Sequence, residues 1–133
     1  MATEIIYLEL VDIRAIVELF RAHRTEAPYL EDIPPFETCD IGKLSSCLAQ
    51  TALEVFGTPL YPSLPEKAAW LLYGIIKNHP FINGNKRIAV YAYLAFVNKN
   101  VSELALSDNE LKYLFVLATK IAKSDPEEKE HML

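Results

Sequence analysis

One stretch of this 133-residue chain gathers side chains that can do chemistry: His79-Pro80-Phe81-Ile82-Asn83-Gly84-Asn85-Lys86-Arg87. Pro80 disfavours helical geometry at His79, so a helix running into the stretch must end close to that histidine. Gly84 permits a tight turn with positive φ where a Cβ would clash. An apolar helical pattern resumes directly after it, so the turn opens onto a helix N-terminus. Free N–H groups and the positive end of the helix dipole favour an anion there. Lys86 and Arg87 in that first turn oppose the dipole, each mismatch costing about 0.3–1 kcal/mol in isolation. A multiply charged anion on the same spot removes the conflict. Phosphate is the natural candidate, with Arg87 able to grip it in bidentate fashion. His79 lies one turn-width away, and an imidazole is the usual group for taking a proton from an attacking hydroxyl near neutral pH. The constellation reads as phosphoryl or nucleotidyl transfer.

Each residue also has a plain structural use that the sequence leaves open. A histidine at a helix end serves as a C-cap donor, Asn-Gly is a turn dipeptide, and Lys86 and Arg87 fit a solvated face. Phe81 reads as a hydrophobic plug that ties the stretch to the core. Tyr91 and Tyr93 read as core or groove lining, and His23 and His131 as surface residues.

Positioning such a loop requires rigid elements on both sides, and the flanking sequence supplies them. Residues 65–78 contain Ala68-Ala69-Trp70-Leu71-Leu72-Tyr73-Gly74-Ile75-Ile76, apolar nearly all round, which marks a central helix covered on several sides. Ser63-Leu64-Pro65-Glu66 is a capping-box pattern that opens it, with Glu66 expected to reach the backbone N–H of Ser63. A second buried helix is expected over residues 86–99. Ile13, Ile16, Val17 and Phe20 keep 3–4 spacing and predict an amphipathic helix over residues 10–23. Asp40 reads as the N-cap of a helix carrying Leu44, Leu48, Ala52 and Val55 on one face, with Gly57 as its C′ stop. Ser107-x-x-Glu110 is another capping box, before a helix with Leu111, Leu114, Phe115, Ala118 and Ile121 inward; Asp125-Pro126 ends it. Ile5 to Leu8 suggests a short strand. Residues 25–39 and 58–62, rich in proline, read as loops, and residues 124–133 as a charged, frayed tail. The expected architecture is all-α: one domain over residues 1–133, built around two central helices with the motif loop between them.

Composition narrows the partners. Hydrophobic residues make up 51% and charged residues 23%, a globular balance. The net charge of −5 argues against broad capture of nucleic acid, which needs clustered positive charge. Cys39 and Cys47 lack the spacing of a zinc site or a disulfide framework and read as inert thiols. The run from Ile88 to Val97 is too short to span a bilayer, and Met1-Ala2-Thr3-Glu4 lacks the basic start of a signal peptide. A cytoplasmic protein without membrane contact is expected.

His-Pro-Phe-x-x-Gly-Asn-Lys-Arg resembles the signature of the Fic/Doc superfamily. Within it the chain is more similar to the death-on-curing (Doc) branch: Lys86-Arg87 follows the Doc form, and Val90 stands where adenylyltransferases carry a second arginine. The resemblance extends through Gly42 to Ala49, Phe56-Gly57, Leu60-Tyr61-Pro62, Glu66 to Ala69 and Leu72-Tyr73-Gly74, covering about residues 5–122. It implies a Fic fold and transfer of a phosphate-containing group from ATP to a protein hydroxyl. By the same resemblance His79 is the general base and Phe81 the anchor of the loop. Gly84 and Asn85 form the anion-binding turn, Arg87 grips the nucleotide phosphates, and Lys86 marks the Doc-like form. Asn83 stands where the family has an acidic residue that holds Mg²⁺, which implies weaker metal binding. The implied reaction is γ-phosphoryl transfer to elongation factor Tu, with Fic-type adenylylation and a catalytically weakened binding module as alternatives. The inhibitory Ser/Thr-x-x-x-Glu-(Gly/Asn) pattern finds no match, since Ser124 to Glu128 continues with Lys129. The resemblance therefore implies restraint by a separate antitoxin chain.

Overall fold

The expected helices form, and the packing around them explains where the sequence reading falls short. A computed structural model describes residues 4–23, 32–101 and 108–123, with side chains in its last helix from residue 110 onward. The helices are α1 (Leu10–Ala22), α2 (Ile41–Gln50), α3 (Leu64–Asn78), α4 (Asn85–Asn100) and α5 (Asp108–Lys123). Among the described residues the fold is all-α apart from one small antiparallel hairpin, β1 (Glu54–Val55) and β2 (Thr58–Pro59). No described helix is long and apolar enough to cross a membrane.

α3 and α4 form the centre. Ala68, Leu71, Leu72 and Ile75 of α3 meet Ile88, Ala89, Ala92 and Phe96 of α4 in one buried cluster. α1 covers it with Ile13 and Val17, both fully buried, while Ile16 and Phe20 are half-buried at its edge. α5 adds Leu114, Ala118 and Ile121, with Leu111 and Phe115 partly buried beside them. The capping box expected at Ser107 lies outside the described residues, as do Asp125-Pro126 and the 124–133 tail.

The caps follow the sequence with one exchange of partners. Asp40 Oδ1 accepts from the backbone N–H of Lys43 at 3.1 Å, and Ser63 Oγ accepts from that of Glu66 at 3.2 Å. The carboxylate of Glu66 accepts from the Ser63 hydroxyl at 2.9 Å, rather than from the backbone N–H the box pattern suggested.

Three local expectations are corrected. Residues 5–8 form no strand; Asn100 at the end of α4 instead accepts from the N–H of Ile6 and donates to its carbonyl, at 2.7 and 2.9 Å. α2 stops at Gln50, short of Ala52 and Val55. The N–H groups of Ala52 and Leu53 turn back to Ala49 and Gln50 in tighter three-residue steps. Phe56 (φ +51°) and Gly57 (φ +79°) then make a hairpin turn with both central residues at positive φ, the geometry that matches strand twist. Gly57 is a turn residue, not a helix stop. The segments read as loops also carry structure: Phe36–Thr38 is a 3₁₀ turn, and Tyr61 is buried with its ring stacked on Trp70, centroids 5.4 Å apart.

Two features of α3 gave no sequence signal. Lys67 is 4% exposed, its ammonium donating to the Thr51 carbonyl at 2.9 Å and lying 5.4 Å from the Tyr7 ring centroid. Trp70 folds back over its own helix: a Cβ on Gly74 would fall 2.8 Å from the indole, so the glycine is what lets the ring lie there. From that position the indole N–H reaches the Cys47 carbonyl at 2.8 Å. Both cysteines are free thiols. Burial pushes each thiol pKa up, with the Asp40 charge adding to the effect at Cys39. Thiols held protonated in this way are poor nucleophiles.

Candidate active site

The loop between α3 and α4 is built by its own residues. His79 ends α3 in the left-handed region, φ +53° and ψ +55°, with its N–H still donating to the Ile75 carbonyl at 3.1 Å. That conformation is strained for a residue with a Cβ. It is the price of ending a helix directly before proline, where the right-handed helical conformation is disfavoured. The histidine side chain is exposed. Pro80 is buried, and its carbonyl accepts from the N–H of Asp40 at 2.8 Å, tying the loop to the start of α2.

Phe81 is 3% exposed and sits in the core cluster, the anchor its type suggested. Asn85 closes the loop behind it. Its side-chain oxygen accepts from the Phe81 N–H at 3.0 Å and its amide nitrogen donates to the Phe81 carbonyl at 2.8 Å. With the residue 5% exposed, that side chain is committed to the loop backbone, and what it presents to an anion is its main-chain N–H. Gly84 precedes α4 at φ +85°, and its carbonyl accepts from the Ile88 N–H at 2.9 Å, starting the helix.

An open cavity of about 750 Å³ faces this turn. His79, Ile82, Asn83, Gly84, Asn85, Lys86 and Arg87 line it, together with Tyr91 of α4, Phe20 of α1, and Phe115 and Thr119 of α5. The Arg87 guanidinium lies 6.0 Å from the centroid of Phe20, whose ring meets Tyr91 edge-on at 4.9 Å. Lys86 is exposed and Arg87 half-buried. A candidate base, a helix N-terminus and two cations therefore share one concave surface, a layout able to hold a polyphosphate and deprotonate a hydroxyl beside it.

Among the described residues no acidic side chain lines the cavity, and no group of three His, Cys, Asp or Glu side chains could hold a metal ion. Asn83 supplies a neutral amide oxygen in the loop. That donor set does not fit a Mg²⁺ ion held by protein carboxylates. Val90, in the position of a second arginine, is fully buried in the core and presents nothing to the cavity.

A family model described as Fic/DOC family matches residues 7–97, and the chain belongs to that family. The chain is also similar to Toxin Doc of Mycolicibacterium smegmatis (strain ATCC 700084 / mc(2)155), 39% identical over 66 residues. The aligned stretch is 50% of this chain and 51% of that protein, so the chain spans about half the length of the curated relative it matches. No solved structure matches it.

Proposed function

We propose that the chain is a Doc-like toxin of a toxin–antitoxin pair that transfers the γ-phosphoryl group of ATP to a protein hydroxyl, elongation factor Tu being the expected acceptor. The observation that carries the reading is the sharing of one cavity by His79 and by the α4 N-terminus with Lys86 and Arg87. The phosphates lie against the first-turn N–H groups after Gly84, with Arg87 and Lys86 offsetting their charge. His79 takes the proton as the acceptor oxygen attacks the γ-phosphorus; the bond to the β,γ-bridging oxygen breaks and ADP leaves. Mg²⁺, carried in on the nucleotide, would find one protein oxygen at Asn83 and otherwise rest on phosphate and water. Val90 supports phosphoryl over adenylyl transfer, because a buried valine leaves the second phosphate grip of an adenylyltransferase unfilled. The relative named Toxin Doc supports the toxin reading, and a separate antitoxin chain and a cytoplasmic location belong to the same proposal.

The test is a transfer reaction with Mg²⁺ and elongation factor Tu, run in parallel with ATP labelled at the γ- and at the α-phosphate. Label from the γ position alone is the expected result. Label from the α position would establish an adenylyltransferase, and silence in both would leave a binding module or a different acceptor. Asn83→Asp is expected to lower the Mg²⁺ concentration needed for half-maximal rate by on the order of tenfold, since it adds one charge to a hard-cation ligand. An unchanged Mg²⁺ dependence would remove Asn83 from the metal's surroundings.

A further inference from the structure

We propose that Ile33, held in place by Arg21, is a positioning residue for the anion-binding turn at Gly84; the inference rests on the phosphate-transfer reading above. Neither residue belongs to the motif. Ile33 is 4% exposed and lies against the turn so closely that a Cβ added to Gly84 would fall 2.7 Å from its Cγ1 and 2.9 Å from its Cδ1. Gly84 is therefore required twice over, by its φ of +85° and by the isoleucine packed on its α-carbon. A β-branched side chain is stiff at χ1, so it transmits the position of its own backbone to whatever it touches.

That backbone is itself fixed. Arg21, in the last turn of α1, donates from Nη1 to the Ile33 carbonyl at 2.7 Å. Further along the same segment, Arg14 lies 5.3 Å from the Phe36 ring centroid and pairs with Glu37. The segment ends at Asp40, whose N–H holds the Pro80 carbonyl at 2.8 Å. Residues 32–40 thus touch the motif loop on both sides of its bend, at Pro80 and at Gly84. The isoleucine sets where the N–H groups of Gly84 to Arg87 stand, so displacing it weakens the hold of those donors on the phosphates they face.

The experiment follows amide hydrogen exchange at Phe81 and Ile88, whose N–H groups bond across the turn to Asn85 Oδ1 and to the Gly84 carbonyl, together with KM and kcat for ATP in Ile33→Ala, Ile33→Val, Arg21→Ala and Arg21→Lys. In both alanine variants exchange at the turn is expected to accelerate about tenfold while amides inside α3, such as Leu71 and Ile75, keep their protection. KM for ATP should rise about tenfold with kcat within about threefold. Ile33→Val and Arg21→Lys, which keep the branched contact and the donated bond, should stay within about threefold of the parent in both readouts. Unchanged exchange at Phe81 and Ile88 would overturn the proposal, and so would acceleration shared equally by α3, which would make Ile33 an ordinary core residue. The exchange readout needs no nucleotide, so a parent protein that transfers nothing from ATP would refute the proposed function and still leave the role of Ile33 decidable.

Discussion

Replacing His79 by glycine is expected to lower phosphoryl transfer by about 10²–10⁴-fold, the usual contribution of a positioned general base, while leaving the fold at least as stable. The two effects separate because the histidine occupies the left-handed region at φ +53°. A residue with a Cβ pays about 1–2 kcal/mol there, and glycine does not. Glycine loses about 0.5–1 kcal/mol of that gain to the extra freedom of its unfolded chain. The net expectation is a change between zero and about 1.5 kcal/mol in favour of the variant, or a few degrees in Tm at this chain length. His79→Ala should lose the same activity without the gain, since alanine keeps the strained conformation. The helix end itself survives in both, because the N–H of residue 79 donates to the Ile75 carbonyl whatever the side chain. Thermal unfolding and a transfer assay on the same two preparations decide the matter. A glycine variant that still transfers at the parent rate would remove His79 from the chemistry; one destabilised by more than about 2 kcal/mol would show the imidazole to be structural. Strain kept at an exposed residue that lines a cavity is what a stability–activity trade-off predicts.

The central helices were readable because an all-round apolar pattern of this length has few other outcomes, and Pro80 placed the end of α3 at His79. The turn before α4 was readable for a related reason: Gly84 permits the positive φ it adopts, and the anion proposed for it rests on the two cations that oppose the helix dipole there. The hairpin was missed because Gly57 satisfies two rules at once. A glycine after an apolar helical run is a C′ stop, and a glycine in a two-residue turn is equally at home. Thr51, Ala52 and Leu53 decide between them through i−3 hydrogen bonds, which no periodicity records. Lys67 shows a different limit. Its ammonium is buried because a carbonyl from α2's end and a ring from the N-terminal segment converge on it, and both partners are distant in sequence. Ile33 belongs with Lys67, since its contact with Gly84 exists only once α1 and the 32–40 segment are in place. Asn85 sits between these cases. Its position in the motif was evident, and the resemblance to the Fic/Doc signature assigned it to the anion-binding turn, but the work of its side chain is directed inward at Phe81.

That inward bracket makes Asn85 the site of the largest expected loss of stability. Asn85→Ala leaves the N–H and the carbonyl of Phe81 without partners at a buried position, and each such group costs about 1–3 kcal/mol. A total of about 2–6 kcal/mol is a large share of the 5–15 kcal/mol by which domains are usually stable. Asn85→Asp distinguishes this account from simple loss of packing, because it keeps the shape and inverts one partner. The carboxylate can still accept from the Phe81 N–H, but it faces the Phe81 carbonyl with a second acceptor and a buried charge. Protonation restores the missing donor, so burial and the carbonyl raise the pKa of the introduced acid above its unfolded value near 3.9. An acid whose folded pKa is raised binds more protons in the native state. The variant's stability is therefore highest at acid pH and falls as pH climbs from about 4 through the raised folded value, where the parent shows no such loss. Urea unfolding at pH 4.5 and at pH 7.5 reads the difference, and an aspartate variant that loses nothing between the two would mean the bracket carries no weight. Asn100→Ala is the internal control. Asn100 makes the same pair of bonds to Ile6 at an exposed site where water can replace them, and one partly buried bond to the Phe96 carbonyl at 2.9 Å, so its removal should cost no more than about 1.5 kcal/mol. If Asn85→Ala and Asn100→Ala cost the same, burial is not what makes the motif asparagine matter.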